Sequence, residues 1–370
     1  MNRLPGLDLL RAIAIAWVML YHVTSYGPSL PLIVEFGWMG VDLFFVLSGY
    51  LIGWQLLKPY TLGQQPQWQQ FFLRRAFRVL PAYLSVVALY FAVPAVRESP
   101  AIQPLWHFLT FTQNMLADYS QARAFSHAWS LCIEEHFYLL LPPVVWLLAR
   151  KPGAGRTAAV MLAVLAGGML LRGWLWQHEV APDGASDVFS RFIENIYNPT
   201  YARLDGLLAG VTLAVIKGFR PVWWSWATAR GAWFLAAGLA GVYASMCIKN
   251  PGFVWAVAGF PLLSASIAAI VLAAVSPRTL VSRWRISGAA PMAAMAFSLY
   301  LTHKAVYHLV REHAGEYLNG SNLLALAVYL GAALAAGALL YLTVERPGMR
   351  LRERLVKPEP HLVAPTAAVS

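Results

Sequence analysis

The sequence predicts an all-α polytopic membrane protein of about ten transmembrane helices, with both termini in the cytoplasm. Three observations carry that prediction. Of the 370 residues, 59% are hydrophobic and only 12% charged, against roughly 45–50% and about 25% in an ordinary soluble domain. A soluble chain of this make-up has too little polar surface to cover its core. Apolar stretches long enough to cross a hydrocarbon layer ~30 Å thick recur along nearly the whole chain. The net charge of +11 comes mainly from Lys and Arg gathered in alternate connections, a positive-inside signal rather than a nucleic-acid surface. Cys132 and Cys247 are the only cysteines, too few for a disulfide framework or a zinc site, and no metal is expected.

The expected spans are 6–26, 38–57, 79–96, 129–149, 157–174, 201–217, 231–248, 254–275, 291–310 and 322–343. The first is not a cleavable signal, because Asp8 and Arg11 interrupt it and no small-residue cleavage site follows. With the N-terminus inside, one set of connections carries Lys58, Arg74, Arg75, Arg78, Arg150, Lys151, Arg156, Lys217, Arg220, Arg230, Arg278, Arg283 and Arg285. The opposite set holds only scattered charges such as Arg97, Arg123, Arg191 and Lys249. The two long connections on that side, 97–128 and 175–200, are expected to fold over an external mouth. A membrane domain over 1–350 is followed by a cytoplasmic tail, 351–370, whose prolines and lack of periodicity read as disorder. No appended soluble domain is expected after the last span.

Ionisable residues inside spans are costly and mark function by default. In the first span Arg11 and His22 are eleven residues apart, which at ~100° and ~1.5 Å per residue puts them on one helix face about 16 Å apart. Asp8 shares that stripe and can pair with Arg11. The second span brings Asp42 close to the depth of His22, where a carboxylate can orient an imidazole; Gly40 and Gly49 allow close helix approach. Arg75 and Arg78, one turn apart at the end of an inner loop, present forked guanidinium groups suited to phosphate. Lipid headgroups are the plain alternative partner for that cluster. In the fourth span Glu134 and Glu135 sit one turn inside apolar sequence, a pair that packing alone does not require. Arg203 and Asp205 open the sixth span, where they can pair or hold a polar substrate. His303 and Lys304 lie in a polar patch of the ninth.

Taken in order, these stretches resemble the membrane acyltransferase-3 family of cell-surface acyltransferases. The resemblance runs over residues 5–350. It is carried by Leu-Asp-Leu-Leu-Arg-Ala-Ile-Ala with ten residues between Arg11 and His22, by Gly-Val-Asp-Leu-Phe-Phe-Val-Leu-Ser-Gly-Tyr, and by Arg75-x-x-Arg78 followed by Leu-Pro-Ala-Tyr. His127-x-Trp-Ser-Leu, Glu134-Glu135-x-Phe-Tyr, Arg203-Leu-Asp205-Gly, Ser298-Leu-Tyr-Leu and Val-Glu345-Arg-Pro complete it. Two positions depart. His136 stands where the family often has Gln, and Thr302 precedes His303 where an aromatic residue is common, so the sequence assigns His303 no role. Many members carry a C-terminal esterase-like domain, and none is expected in this chain.

The resemblance implies transfer of a short acyl group, usually acetyl, from acetyl-CoA as co-substrate to a hydroxyl of a carbohydrate or glycoconjugate, with no bound cofactor. Arg11, Arg75 and Arg78 are then the expected donor-binding residues. His22 is the expected base or acyl carrier, with the base preferred because a well-placed hydroxyl needs only proton removal and oxyanion stabilisation. Asp42 is expected to orient His22, and Glu134 or Glu135 to tune the site or relay the proton. Trp106, His127, Trp129, Arg203 and Asp205 are the expected acceptor contacts. The expected setting is the bacterial cytoplasmic membrane, beside membrane lipid and a polysaccharide biosynthesis system. A flippase of a lipid-linked saccharide, or a structural membrane subunit, uses similar residues and is separated from an acyltransferase by its indifference to acyl-CoA.

Overall fold

Each apolar stretch becomes a long helix in the computed structural model, which describes residues 4–116, 122–182 and 186–355. In chain order these are α1 (Pro5–Val23), α2 (Met39–Thr61), α3 (Trp68–Ala92), α4 (Trp129–Arg150), α5 (Ala154–Leu175), α6 (Asp205–Phe219), α7 (Gly231–Met246), α8 (Phe260–Val275), α9 (Ala289–Leu318) and α10 (Asn322–Leu340). There is no strand among the described residues. Among the described residues, seven of the membrane-length helical segments are apolar enough to cross a bilayer, or eight if α6 is joined to Pro221–Ala229 across their 113° bend. The outer faces are apolar: Leu170 is 76% exposed and Trp233 78%, an arrangement that suits lipid and not water. The chain is an all-α polytopic membrane protein.

Small residues set the packing. α2 lies closest to α6, and a Cβ on Gly49 would fall on the Leu207 carbonyl oxygen, while one on Gly210 would fall on the Val46 carbonyl. The two backbones therefore touch through reciprocal glycines, a contact that any side chain at either position would push apart. Gly40 meets Ala14 of α1 in the same way. α1 runs through the middle of the bundle against α2 and α9, and its Ala14, Ile15 and Val18 are completely buried.

Two boundaries differ from the sequence reading. α3 begins at Trp68, so Arg74, Arg75 and Arg78 lie within a helix rather than at the end of a loop. Its first turns are amphipathic, and periodic burial extends the helix beyond the apolar span. At the other end of the chain, Arg346–Leu355 forms a further helix, α11. It packs on α3 through Gly348 against Pro81, and the Arg78 guanidinium lies 3.7 Å from Met349 Sδ. The expected boundary at 350/351 therefore cuts a helix, and the remainder of the expected tail, 356–370, lies outside the described residues.

Candidate active site

Helix α1 carries both ends of the site. Arg11 faces a cavity of about 130 Å³ that α2, α3, α4 and α9 complete. Arg75 and Arg78 line it from α3, Glu134 and Tyr138 from α4, and Ser48 from α2. Three guanidinium groups thus converge on one space, although their sequence separation is 64 residues or more for Arg11. Arg75 is braced over the Tyr138 ring at 4.8 Å, the Tyr138 and Ser48 hydroxyls are hydrogen-bonded, and Arg11 Nη1 lies 3.5 Å from Asp8 Oδ1. An anionic ligand entering here meets fixed, forked donors.

Farther along α1, His22 lines a second cavity of about 430 Å³. Both long connections contribute to its wall: Arg123, Ser126 and His127 come from one, and Phe189, Phe192, Ile193, Glu194, Tyr197 and Asn198 are among those from the other. Trp38, Trp129 and Tyr197 supply aromatic faces, while Glu35, Glu194 and Lys304 supply charge. Val41 and Tyr300 line both cavities. They form the partition between the arginine end and the histidine end. Tyr300 is fixed there by a 2.6 Å bond from its hydroxyl to the His127 carbonyl and a 2.7 Å contact with Ser130 Oγ.

Beyond the expected Asp8–Arg11 pair, the polar partners of Asp42 and Asp205 differ from those expected from sequence. Asp42 does not orient His22: its Oδ1 takes a 2.7 Å hydrogen bond from Arg203 Nη2, and both side chains are buried. Asp205 does not pair with Arg203 but with Arg172, at 2.8 Å and 3.1 Å. The residues expected to hold acceptor, Arg203 and Asp205, line neither cavity. They lock helices instead. Arg203 fixes the start of α6 to α2, and Arg172 fixes α5 to α6 and, through the Ala256 carbonyl at 2.6 Å, to the approach of α8. Glu135 also lies outside both linings, whereas its neighbour Glu134 is inside one. Trp106 is exposed and stacks edge-on against His107 rather than joining the cavity.

The partner of His22 is His303, with Nδ1 to Nε2 at 2.9 Å. His127 packs edge-on against the His303 ring at 5.1 Å, with its Nδ1 3.8 Å from Glu98 Oε1. Glu98 Oε1 also receives Lys304 Nζ at 3.2 Å and the Phe125 amide at 3.1 Å, and Oε2 accepts from the Tyr90 hydroxyl at 3.0 Å. Sequence reasoning passed over Glu98 because it lies in an irregular connection. The one signal for His303 was its place, with Lys304, in a polar patch of an otherwise apolar helix.

A two-cavity bundle with arginines at one end and a histidine pair at the other fits several transfer or transport chemistries. The deciding observation is that the family model for this acyltransferase domain matches residues 4–342. The chain belongs to the acyltransferase-3 family. Within it, the O-acetyltransferase OatA of Staphylococcus aureus (strain NCTC 8325 / PS 47) is 31% identical over 231 residues, covering 58% of this chain and 34% of that protein. The peptidoglycan O-acetyltransferase OatA of Listeria monocytogenes is 31% identical over 229 residues, with the same coverage of 58% and 34%. The chain thus spans about a third of the length of these curated relatives. No solved structure matches the chain.

Proposed function

We infer that this acyltransferase-3 chain moves a short acyl group, acetyl in the first instance, from acyl-CoA to a hydroxyl of an extracytoplasmic polysaccharide or glycoconjugate. The observation that carries the reading is the single helix α1, which presents Arg11 to one cavity and His22 to the other. On this reading Arg11, Arg75 and Arg78 hold the phosphates of acyl-CoA at the cytoplasmic mouth. The smaller cavity admits the slender thioester arm and leaves the nucleotide outside. The thioester passes Val41 and Tyr300 to reach His22, ~16 Å along the helix. The acceptor sugar lies in the larger cavity, where Trp38, Trp129 and Tyr197 offer faces for stacking and His127 and Glu194 offer polar contacts.

His22 then removes the hydroxyl proton as the oxygen attacks the thioester carbonyl. The C–O bond forms, the C–S bond breaks, and the proton leaves with CoA as its thiol. Lys304, held by Glu98 and by Ser126 Oγ at 3.1 Å, lines the same cavity as His22 and supplies a cation for the developing oxyanion. The proposed setting is the bacterial cytoplasmic membrane, in company with a polysaccharide biosynthesis system. Family membership favours this chemistry over the flippase that buried His, Asp and Arg residues also permit. The test is incubation of purified protein with labelled acetyl-CoA and candidate acceptors. Labelled acceptor from the wild type and none from His22→Ala is the expected result; equal transfer by both removes His22 from the mechanism.

A further inference from the structure

His303 is completely buried and lines neither cavity, yet among the described residues it makes the one hydrogen bond that reaches the His22 ring from another helix. The direction of that bond follows from its other end. His303 Nδ1 lies 3.1 Å from the Leu299 carbonyl oxygen, and a carbonyl only accepts, so the hydrogen is on Nδ1. In the neutral ring Nε2 then carries a lone pair. The group facing that lone pair is His22 Nδ1 at 2.9 Å, which must donate. A neutral His22 with its hydrogen on Nδ1 has its own lone pair on Nε2. Together with the backbone hydrogen bond that His22 makes to Val18 within its own helix, the carbonyl of Leu299 thus sets the tautomer of His22 through His303.

We propose that His303 is a positioning residue that holds His22 in the tautomer whose Nε2 takes the proton of the acceptor hydroxyl. The proposal rests on the reading of His22 as the base. It gives the transfer step a fixed proton route. The hydroxyl proton moves to His22 Nε2 as the C–O bond forms, and the same proton leaves to the departing thiolate. The His22 Nδ1 hydrogen stays between the two rings throughout, where the cationic ring strengthens its bond to His303. The surrounding groups are engaged elsewhere: Lys304 with Glu98 and Ser126, and the Tyr300 hydroxyl with His127 and Ser130. His303 is accordingly the residue that fills the orienting place the sequence assigns to Asp42.

Two measurements on the full chain in a membrane mimetic test this. In wild-type protein labelled with ¹⁵N-histidine, the His22 resonances, assigned by their loss in His22→Ala, should show the Nδ1–H tautomer at neutral pH. The Nε2–H tautomer in the wild-type protein overturns the proposal. In transfer assays, His303→Leu should lower kcat roughly 100-fold, in the range of a lost general-base function, with the KM for acetyl-CoA unchanged. His303→Gln keeps an acceptor atom where Nε2 stands and should recover about tenfold of that loss, the worth of one hydrogen bond to a charged ring. Wild-type kcat in His303→Leu, or equal losses in the Leu and Gln variants, overturns it. A wild type that transfers nothing contradicts the proposed function instead, and the tautomer measurement still judges His303.

Discussion

Arg203 and Asp42 are unequal partners, and the inequality predicts an order of damage. The Arg203 guanidinium is 1% exposed and Asp42 2%, with 2.7 Å between them. Breaking a buried pair by removing one partner costs about 3–5 kcal/mol, because the other charge is left uncompensated. The two survivors differ, however. When Asp42 is changed to Asn, Arg203 keeps the ring of Phe260 at 4.0 Å and of Tyr197 at 4.6 Å, with Trp129 at 5.5 Å and Phe45 at 5.9 Å. Each close cation–π contact is worth about 0.5–2 kcal/mol when desolvated, so Asp42→Asn should cost only about 1–3 kcal/mol. When Arg203 is changed to Met, Asp42 keeps nothing comparable, since its Oδ2 already has no hydrogen-bond partner. That change should cost the full 3–5 kcal/mol or so. The double variant should lie above Arg203→Met in stability, because it buries no lone charge. Thermal unfolding of the four proteins in one detergent gives the cycle. Equal losses in the two single variants, or a double variant less stable than both, would refute the reasoning. So would an Asp42→Asn protein of wild-type stability that has lost transfer, because that result returns Asp42 to His22.

Other consequences are checked more simply. Arg75→Ala and Arg78→Ala should each weaken equilibrium binding of acetyl-CoA roughly 10- to 100-fold, the value of a charge-assisted hydrogen bond, while His22→Ala leaves binding unchanged. Val41→Phe narrows the partition lined by both cavities; acetyl-CoA should still bind, and transfer to acceptor should fall steeply in the same preparation. Gly210→Val drives a side chain into the Val46 carbonyl and the Tyr50 amide, and thermal unfolding should report a loss at or above the ~1–3 kcal/mol typical of overpacking.

The sequence makes the helices legible and the pairings not. Apolar length predicts α1 to α10 because each helix satisfies its own backbone bonds whatever its neighbours are. The convergence of Arg75 and Arg78 is equally local, since both lie within one turn of α3. Which helix stands beside which is a property of the bundle. Asp42 and Arg203 are separated by 161 residues, and His22 and His303 by 281. Two antiparallel helices put Asp42 at the depth of His22, but depth leaves rotation about the helix axis undetermined, and it is rotation that turns Asp42 toward α6. The pair Arg203 and Asp205 illustrates the same point. Two residues apart at the start of α6, they diverge to Asp42 of α2 and Arg172 of α5. His303 was visible as a polar residue in α9, but only its packing against α1 gives it a partner.

The central claim is that donor and acceptor meet at His22 from opposite sides of the bundle. It is tested most directly in proteoliposomes of uniform orientation, with labelled acetyl-CoA supplied only at the face bearing Arg75 and Arg78 and acceptor saccharide only at the face of the larger cavity. Labelled saccharide should accumulate with wild-type protein and not with His22→Ala, while acetyl-CoA binding is the same in both. Transfer that requires donor and acceptor on one side, or that survives the loss of His22, contradicts the account.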